Sequence, residues 1–136
     1  LRVRYVFTAE RFARAEPNQK MVIPPLTFPA LLGRRFVQMG ARTTSLFIDQ
    51  TEASRTQVSL SLPPGYALAS PIPEIKTGGP FGTFLRRERV EKGRVTVEEE
   101  YEVRMARIPP EGYEAFSEFA GQVDLVQARD LLVEKK

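Results

Sequence analysis

Carboxylates form the densest group of chemically active side chains, within one run of five residues: Glu98, Glu99, Glu100 and Glu102. On a β-strand, residues two apart share a face at roughly 6.6 Å, because each residue advances the chain by about 3.3 Å. That spacing overlaps the separation of about 6.5–9.5 Å between the acid and the base of an inverting glycosidase. Any Glu-x-Glu on a strand meets the same criterion, so a carboxylate-based hydrolase is kept only as an alternative function.

Arginines across from these carboxylates favour a structural interpretation. The hairpin register derived below places Arg87 opposite Glu98 and Arg86 opposite Glu99. Opposite charges across a strand pair contribute about 0.2–1 kcal/mol. They also hold the carboxylates in the ionised form, which is unsuited to a general acid. The pattern therefore predicts a solvated strand face that carries alternating charges.

Two arginine clusters are the candidates for phosphate binding: Arg34, Arg35 and Arg42 in the first, and Arg86, Arg87 and Arg89 in the second. The net charge is only +3, and the sequence has no RNA-recognition signature, helix-turn-helix pattern or lysine-rich tail. The first cluster lies within residues 1–60, which hold nine basic and four acidic side chains. We expect this cluster to face an acidic neighbouring domain and predict no nucleic-acid partner. Binding of nucleic acid or another anionic polymer is the alternative.

Several classes of site are excluded by residue type. The chain has no cysteine and no histidine, which excludes a thiol protease, a Ser-His-Asp hydrolase and an ordinary zinc site within it. The glycine-rich segment Thr77–Gly82 lacks the phosphate-binding motif G-x-x-x-x-G-K-[ST] and is predicted to form a turn. Asp49, Asp124 and Asp130 are too far apart for a calcium loop. We therefore predict no catalytic residue, no cofactor and no metal, and a chain that is not an enzyme.

The composition of the chain fits one domain with one core. It has 136 residues, of which 42% are hydrophobic and 27% charged. Eleven prolines and nine glycines favour short segments joined by turns over long helices. No run approaches the 18 or so apolar residues that a membrane span needs. Because the sequence opens at Leu1 without a methionine, we expect residues 1–136 to be a single domain of a larger protein.

Alternation of apolar and polar residues predicts a series of short strands: Leu1–Ala9, Ser45–Asp49, Arg55–Leu62 and Tyr66–Leu68. Residues 17–36 hold four prolines in an apolar stretch. We expect an edge strand or an extended loop there, with a short helical turn at Ala30–Arg34. Apolar side chains of residues 21–36 are expected to form an exposed patch, which in an isolated domain indicates an interface.

A long hairpin is predicted to follow. We expect the strand Thr83–Val90 to pair with the strand Val95–Met105 through a tight turn at Lys92-Gly93. The predicted register sets Phe84 opposite Tyr101, so that apolar residues share one face and charged residues the other. The second strand would then direct the following residues to the core: Val95, Val97, Tyr101, Val103 and Met105.

One helix is predicted near the C-terminus, from Pro110 to about Val123. Its apolar residues recur at helical spacing and are expected to be buried: Tyr113, Phe116, Phe119, Ala120, Val123 and Val126. Asp124 is expected to face away from them, and a final strand to begin at Arg129. The strand count and the turn spacing predict an all-β fold, a β-sandwich with one C-terminal α-helix. An α+β fold is the alternative.

The predicted order of strands, hairpin and helix carries a family resemblance together with two short motifs. These motifs are Leu60-Ser61-Leu62-Pro63-Pro64-Gly65-Tyr66 and Ile108-Pro109-Pro110-Glu111-Gly112-Tyr113-Glu114-Ala115-Phe116. Over roughly residues 40–136 the chain resembles the C-terminal domain of bacterial transglutaminase-like proteins. Those proteins carry a domain of unknown function at the N-terminus and a papain-like core in the middle. The resemblance implies an immunoglobulin-like β-sandwich and a periplasmic or cell-surface location. It carries over no catalytic residue, because the family's chemistry belongs to a Cys-His-Asp set in the central domain.

We therefore predict a non-catalytic accessory or binding domain. Its expected partner is the upstream transglutaminase-like domain of the same protein, and another protein or a cell-wall component is the further alternative. The expected interaction surface combines the first arginine cluster with apolar residues of the proline-rich segment: Arg34, Arg35, Arg42, Phe28 and Leu31.

Overall fold

A computed structural model describes residues 2–6, 8–37 and 40–136. Ten strands and two helices follow one another along these residues: β1 (Arg14–Glu16), β2 (Lys20–Ile23), α1 (Leu32–Phe36), β3 (Leu46–Ile48), β4 (Glu52–Ser61), β5 (Tyr66–Leu68), β6 (Ile75–Gly79), β7 (Gly82–Glu91), β8 (Arg94–Val103), β9 (Ala106–Ile108), α2 (Pro110–Gln127) and β10 (Leu131–Lys135). The fold is mostly β, as predicted, with one long C-terminal helix.

The strands form three antiparallel sheets. Sheet A has the order β1-β2-β10-β5, sheet B pairs β3 with β9, and sheet C has the order β4-β8-β7-β6. Sheets A and C pack against each other as a β-sandwich over one end of sheet C, and the helix α2 covers the other end. The sandwich with one C-terminal helix is therefore confirmed. The short helical turn expected at Ala30–Arg34 is present as α1, two residues further along the chain.

The predicted hairpin has the predicted register. Val90 lies opposite Val95, Phe84 opposite Tyr101 and Arg87 opposite Glu98. Lys92 and Gly93 form the turn, both with positive φ, as the primed turns of two-residue hairpins require. The register follows from the sequence because only this pairing keeps the apolar residues of both strands on one face.

The helix α2 runs from Pro110 to Gln127, four residues beyond the predicted end. Pro110 opens it, where a missing N–H costs no intrahelical hydrogen bond. The predicted stripe is buried, from Tyr113 through Val123, and Val126 is half-buried. The final strand is also present, as β10.

The core consists of two apolar clusters separated by charged residues. One cluster joins sheets A and C through residues such as Val97 and Val133, and the other joins sheet C to the helices through residues such as Phe84 and Phe116. Arg86, Glu88 and Glu99 lie on the same face of sheet C as these apolar residues, because they have the same parity along their strands. The prediction that Arg86 and Glu99 are solvated is therefore wrong.

Three further predictions about the strands are wrong. Residues 2–6, 8 and 9 form no strand, and Val3 and Tyr5 are exposed; Leu1 and Phe7 lie outside the described residues. Local alternation suggested a strand there, but these residues have no paired neighbour in a sheet. For residues 17–36 the edge-strand alternative is wrong, because β1 and β10 pair with the two sides of β2; the loop alternative holds for residues 24–31. Met105 is exposed, because β8 ends at Val103 and the chain leaves the core face there.

Candidate interaction site

A loop between β2 and α1, residues 24–31, holds two of the predicted interaction residues and is called here the Phe28 loop. Three of its eight residues are prolines, which narrow its backbone freedom. Thr27 and Ala30 are buried. The Thr27 hydroxyl donates to Glu99 Oε2 at 3.2 Å, and the Ala30 N–H donates to Gln127 Oε1 at 2.8 Å. The loop is therefore tied to β8 and to α2 on both sides of Phe28.

The start of α1 is fixed by a carboxylate from α2. The backbone N–H groups of Leu32 and Gly33 donate to the two oxygens of Asp124, each at 2.8 Å. These N–H groups have no partner within their own helix, so Asp124 supplies the cap that α1 lacks in its own sequence. The prediction that Asp124 faces away from the packed side is wrong, because its carboxylate contacts the first turn of α1.

The groups that hold the Phe28 loop belong to a buried polar network in the seam between the two apolar clusters. Arg86 donates from Nε and from one terminal nitrogen to Glu88 Oε1, at 3.0 and 2.9 Å, and from the other terminal nitrogen to Glu99 Oε2 at 3.2 Å. Gln127 donates to Glu99 Oε1, and the Ile72 N–H donates to Glu88 Oε2 at 2.9 Å. Every carboxylate oxygen in the seam therefore accepts a hydrogen bond, as buried charges require.

Phe28 is the most exposed large apolar side chain among the described residues, at 91%. Leu31 is 40% exposed and has φ of 53°, in the left-handed region that a leucine seldom adopts. The other apolar residues of the predicted patch are mostly packed; Ile23 and Leu32 are buried, and Leu26 is half-buried. The exposed patch of segment 21–36 thus narrows to Phe28 and Leu31.

The three predicted arginines have different environments. Arg35 makes a bidentate ion pair with Glu52, and its guanidinium also lies 4.8 Å from the Phe36 ring centroid. The hydrogen bond between the two raises the pKa of Arg35 and lowers the pKa of Glu52. Arg42 lies over the Tyr113 ring at 5.5 Å and donates to the Thr44 carbonyl.

Arg34 is exposed, and it has no hydrogen bond or ion pair within residues 2–6, 8–37 and 40–136. It lies three residues after Leu31 on α1, next to the Phe28 loop. In the first arginine cluster only Arg35 pairs with a carboxylate among the described residues, and Arg34 is the member that is exposed with no hydrogen bond.

The carboxylates of the hydrolase alternative lie on the outer face of sheet C. A shallow groove of about 630 Å³ includes Glu100 and Glu102 in its lining. Glu100 pairs with Arg55 at 3.1 Å, Glu102 with Arg104 at 2.6 Å, and Glu98 with Arg89 at 3.7 Å. Each carboxylate is thus engaged by a guanidinium, as expected for a charged, solvated strand face.

The remaining candidates also have structural positions. The segment Thr77–Gly82 forms the end of β6 and a turn at Pro80-Phe81 that leads into β7, as predicted. The described residues contain no group of three or more acidic side chains able to hold a metal ion. In the same part of the chain, no helix is long and apolar enough to cross a membrane.

Sequence reasoning missed the residues that hold the Phe28 loop in place. Glu99 has the same parity as Val97 and Tyr101, so the alternation itself placed it in the core, but its charge argued against burial. Gln127 follows Phe116, Ala120 and Val123 at helical spacing and extends the apolar stripe by one turn. The partners of both residues are far away in sequence, and nothing local identifies them.

A family model matches the chain over residues 19–133; its description is Domain of Unknown Function with solved-structure structure (DUF3858). The matched region extends from the residue before β2 into β10 and includes the Phe28 loop, both helices and the buried network. Searches of the curated proteins and of the solved structures each found no match.

Proposed function

The chain belongs to the DUF3858 family of domains of unknown function, and from the geometry of its surface we propose that it is a non-catalytic accessory domain. It docks on another protein domain through the Phe28 loop and the start of α1. This docking holds the neighbouring domain in a fixed orientation, which is a scaffolding role.

The observation that carries this proposal is the contrast between Phe28 and its neighbours. Its side chain is 91% exposed, yet Thr27 and Ala30, on either side, are buried and hydrogen-bonded to β8 and α2. Aromatic side chains, phenylalanine among them, are enriched in the buried cores of protein interfaces. An aromatic residue on a loop that is already ordered loses little conformational freedom on binding. Phe28 therefore has the properties of an interface anchor.

Charge next to this anchor indicates the character of the partner surface. Arg34 is exposed and unpaired within the described residues, whereas Arg35 is neutralised by Glu52. We therefore expect a partner with an apolar pocket for Phe28 and an acidic rim for Arg34. Within the first arginine cluster only Arg34 is both exposed and without a hydrogen bond to the described residues. That is weak support for the nucleic-acid alternative at this surface, because nucleic-acid binding needs several phosphate contacts. The arginine pairs of Glu98, Glu100 and Glu102 likewise argue against the hydrolase alternative.

The partner we propose is an upstream transglutaminase-like domain of the same protein. This part of the proposal depends on the resemblance of the two motifs, which lie at structural junctions. The first, residues 60–66, connects β4 to β5, and the second, residues 108–116, connects β9 to α2. The immunoglobulin-like character of the sandwich and a periplasmic or cell-surface location have the same basis. Another protein or a cell-wall component is the competing partner.

Site-specific photo-crosslinking in the full-length protein tests the proposal. A photoreactive phenylalanine analogue replaces Phe28 in one variant and Phe47 in a control. Phe47 is also exposed, at 64%, but lies on sheet B. We expect the analogue at position 28 to crosslink to the upstream domain in high yield, and the analogue at position 47 to do so weakly. Equal yields, or crosslinks from position 28 to other proteins only, would contradict docking on the upstream domain.

A further inference from the structure

The strand β4 is the one long edge strand among the described residues. It has ten residues and pairs on one side only, with β8. The other edges of sheets A and C are three to five residues long: β1, β5 and β6. Prolines lie next to or near all three of these short edges: Pro17 follows β1, Pro80 follows β6, and Pro64 is two residues before β5. The strand β4 has no proline, no lysine and only two charged residues, so it lacks the usual protection against strand addition.

The direction of the free peptide groups in β4 follows from one hydrogen bond. The Leu62 N–H donates to the Gly93 carbonyl, next to the last ladder pair, Ser61 with Arg94. Peptide groups alternate in direction along a strand, so those of the even-numbered residues point to β8. The odd-numbered residues direct theirs to the free edge: Ala53, Arg55, Gln57, Ser59 and Ser61. Five alternate positions of β4 thus present a backbone donor and acceptor that have no partner among the described residues.

We propose that this edge pairs with β4 of a second copy of the chain, antiparallel and centred on Gln57. In that register Gln57 lies opposite its own copy, Arg55 opposite Ser59 and Ala53 opposite Ser61. All five free positions then exchange hydrogen bonds, about ten in total. The two copies of sheet C become one continuous sheet, and the symmetric pairing closes at a dimer because each long edge is used.

Side chains in this register are complementary. The only charged residue among the five edge positions, Arg55, faces a serine, so no like charges meet. On the inner face, Thr56 lies opposite Val58 of the other copy. Val58 and Leu60 are only half-buried, whereas Val95 and Val97, beside them on β8, are fully buried. A second copy of β4 covers the apolar row that the edge leaves partly open.

The test combines mass measurement with hydrogen exchange on the 136-residue chain. Sedimentation equilibrium is run from about 1 µM to about 1 mM, a range that includes weak association. We expect the mass to rise from 15.4 kDa towards twice that value. Exchange of the Arg55, Gln57 and Ser59 amides should slow by about tenfold or more as the dimer fraction increases. The amides of Thr56 and Val58 are protected at every concentration.

Gln57→Pro is the diagnostic variant, with Gln57→Thr as its matched control. Proline removes a donor that points to the free edge, and so leaves the β4–β8 ladder intact. We expect the proline variant to remain monomeric and the threonine variant to dimerise. If the proline variant does not fold, the exchange pattern of the unmodified chain decides the question. A chain that stays at 15.4 kDa, forms larger polymers, or dimerises with fast exchange at Gln57 overturns the proposal.

Discussion

Arg86 on β7 and Glu99 on β8 lie directly opposite each other and form an ion pair of 3.2 Å from which solvent is excluded. The pair lies where the apolar cluster between the sheets meets the apolar cluster under the helices. Glu88, Gln127 and Thr27 complete its hydrogen bonds. The buried polar network therefore connects sheet C, the helix α2 and the Phe28 loop.

Replacement of Arg86 should destabilise the fold strongly. Arg86→Met leaves Glu99 buried without its cation and leaves Glu88 with only Arg129, whose Nε lies 3.8 Å from Glu88 Oε1. Loss of one partner from a buried pair costs about 3–5 kcal/mol. Arg89→Met is the matched control, because Arg89 is on the same strand, is exposed, and lies 3.7 Å from Glu98. Exposed pairs contribute about 0–1 kcal/mol. Urea denaturation measures both; similar free energies of unfolding for the two variants would contradict the role given to the network.

The ion pair of Glu52 with Arg35 should make the free energy of unfolding depend on pH in the acidic range. The hydrogen bond from Arg35 lowers the pKa of Glu52 below its ordinary value of 4.5 in the folded state. The pair is therefore fully stabilising above that value, and its contribution is lost as the pH falls through the lowered pKa. Because both side chains are partly exposed, the contribution is at most about 1 kcal/mol.

Thermal unfolding of the unmodified chain and of Glu52→Gln checks this expectation. The unmodified chain should be more stable at about pH 7, and the difference should close towards about pH 2. Glu134→Gln is the control, since Glu134 lies 3.9 Å from Lys20 in a more exposed pair. A difference that widens as the pH falls would show that Glu52 is not stabilised by Arg35.

Removal of the Asp124 carboxylate should loosen the start of α1. Asp124→Ala deletes the acceptors for the Leu32 and Gly33 N–H groups, and loss of a helix cap costs about 0.5–2 kcal/mol. Faster hydrogen exchange at these two amides is the expected local signature. Asp130→Ala, at an exposed loop position, should leave both exchange rates unchanged. Unchanged rates in the Asp124 variant would mean that other contacts fix α1.

Gly82 and Gly79 are paired across the β6–β7 turn. Substitution by alanine should nevertheless change the stability of the fold differently at the two positions. A Cβ at Gly82 would lie 2.0 Å from the Glu102 carbonyl oxygen, so the backbone of β8 must move. A Cβ at Gly79 would meet nothing closer than a Phe81 ring atom at 4.0 Å. We expect Gly82→Ala to cost about 1–3 kcal/mol and Gly79→Ala to be nearly neutral, by urea denaturation. Equal costs would refute the close approach of β7 to β8 at this point.

The elements that could be predicted are those with a repeated pattern and a nearby partner. The hairpin of β7 and β8 has alternation on both strands and a two-residue turn, which together allow one register. The helix α2 has four turns of apolar spacing. The segment Leu1–Ala9 has the same alternation as these strands, but a strand also needs a neighbour, which the sequence alone does not supply.

The candidate site was predictable only in part. Phe28 and Leu31 could be predicted as interaction residues because the prolines around them exclude a long helix or a central strand that would bury their side chains. The anchors of their loop, Glu99 and Gln127, contradict the rule that charged and polar side chains are exposed. They are buried because each satisfies the other's hydrogen bonds, and that depends on three-dimensional proximity.

The contacts of the Phe28 loop also imply an order of events during translation. Thr27 and Glu99 are separated by 72 positions, and Ala30 and Gln127 by 97. Contacts between such distant parts of a chain form slowly in folding. During translation, residues 24–31 leave the exit tunnel long before Gln127 has been synthesised. The hydrogen bond from Ala30 to Gln127 can therefore form only after Gln127 has been synthesised, and the Phe28 loop lacks this contact until then.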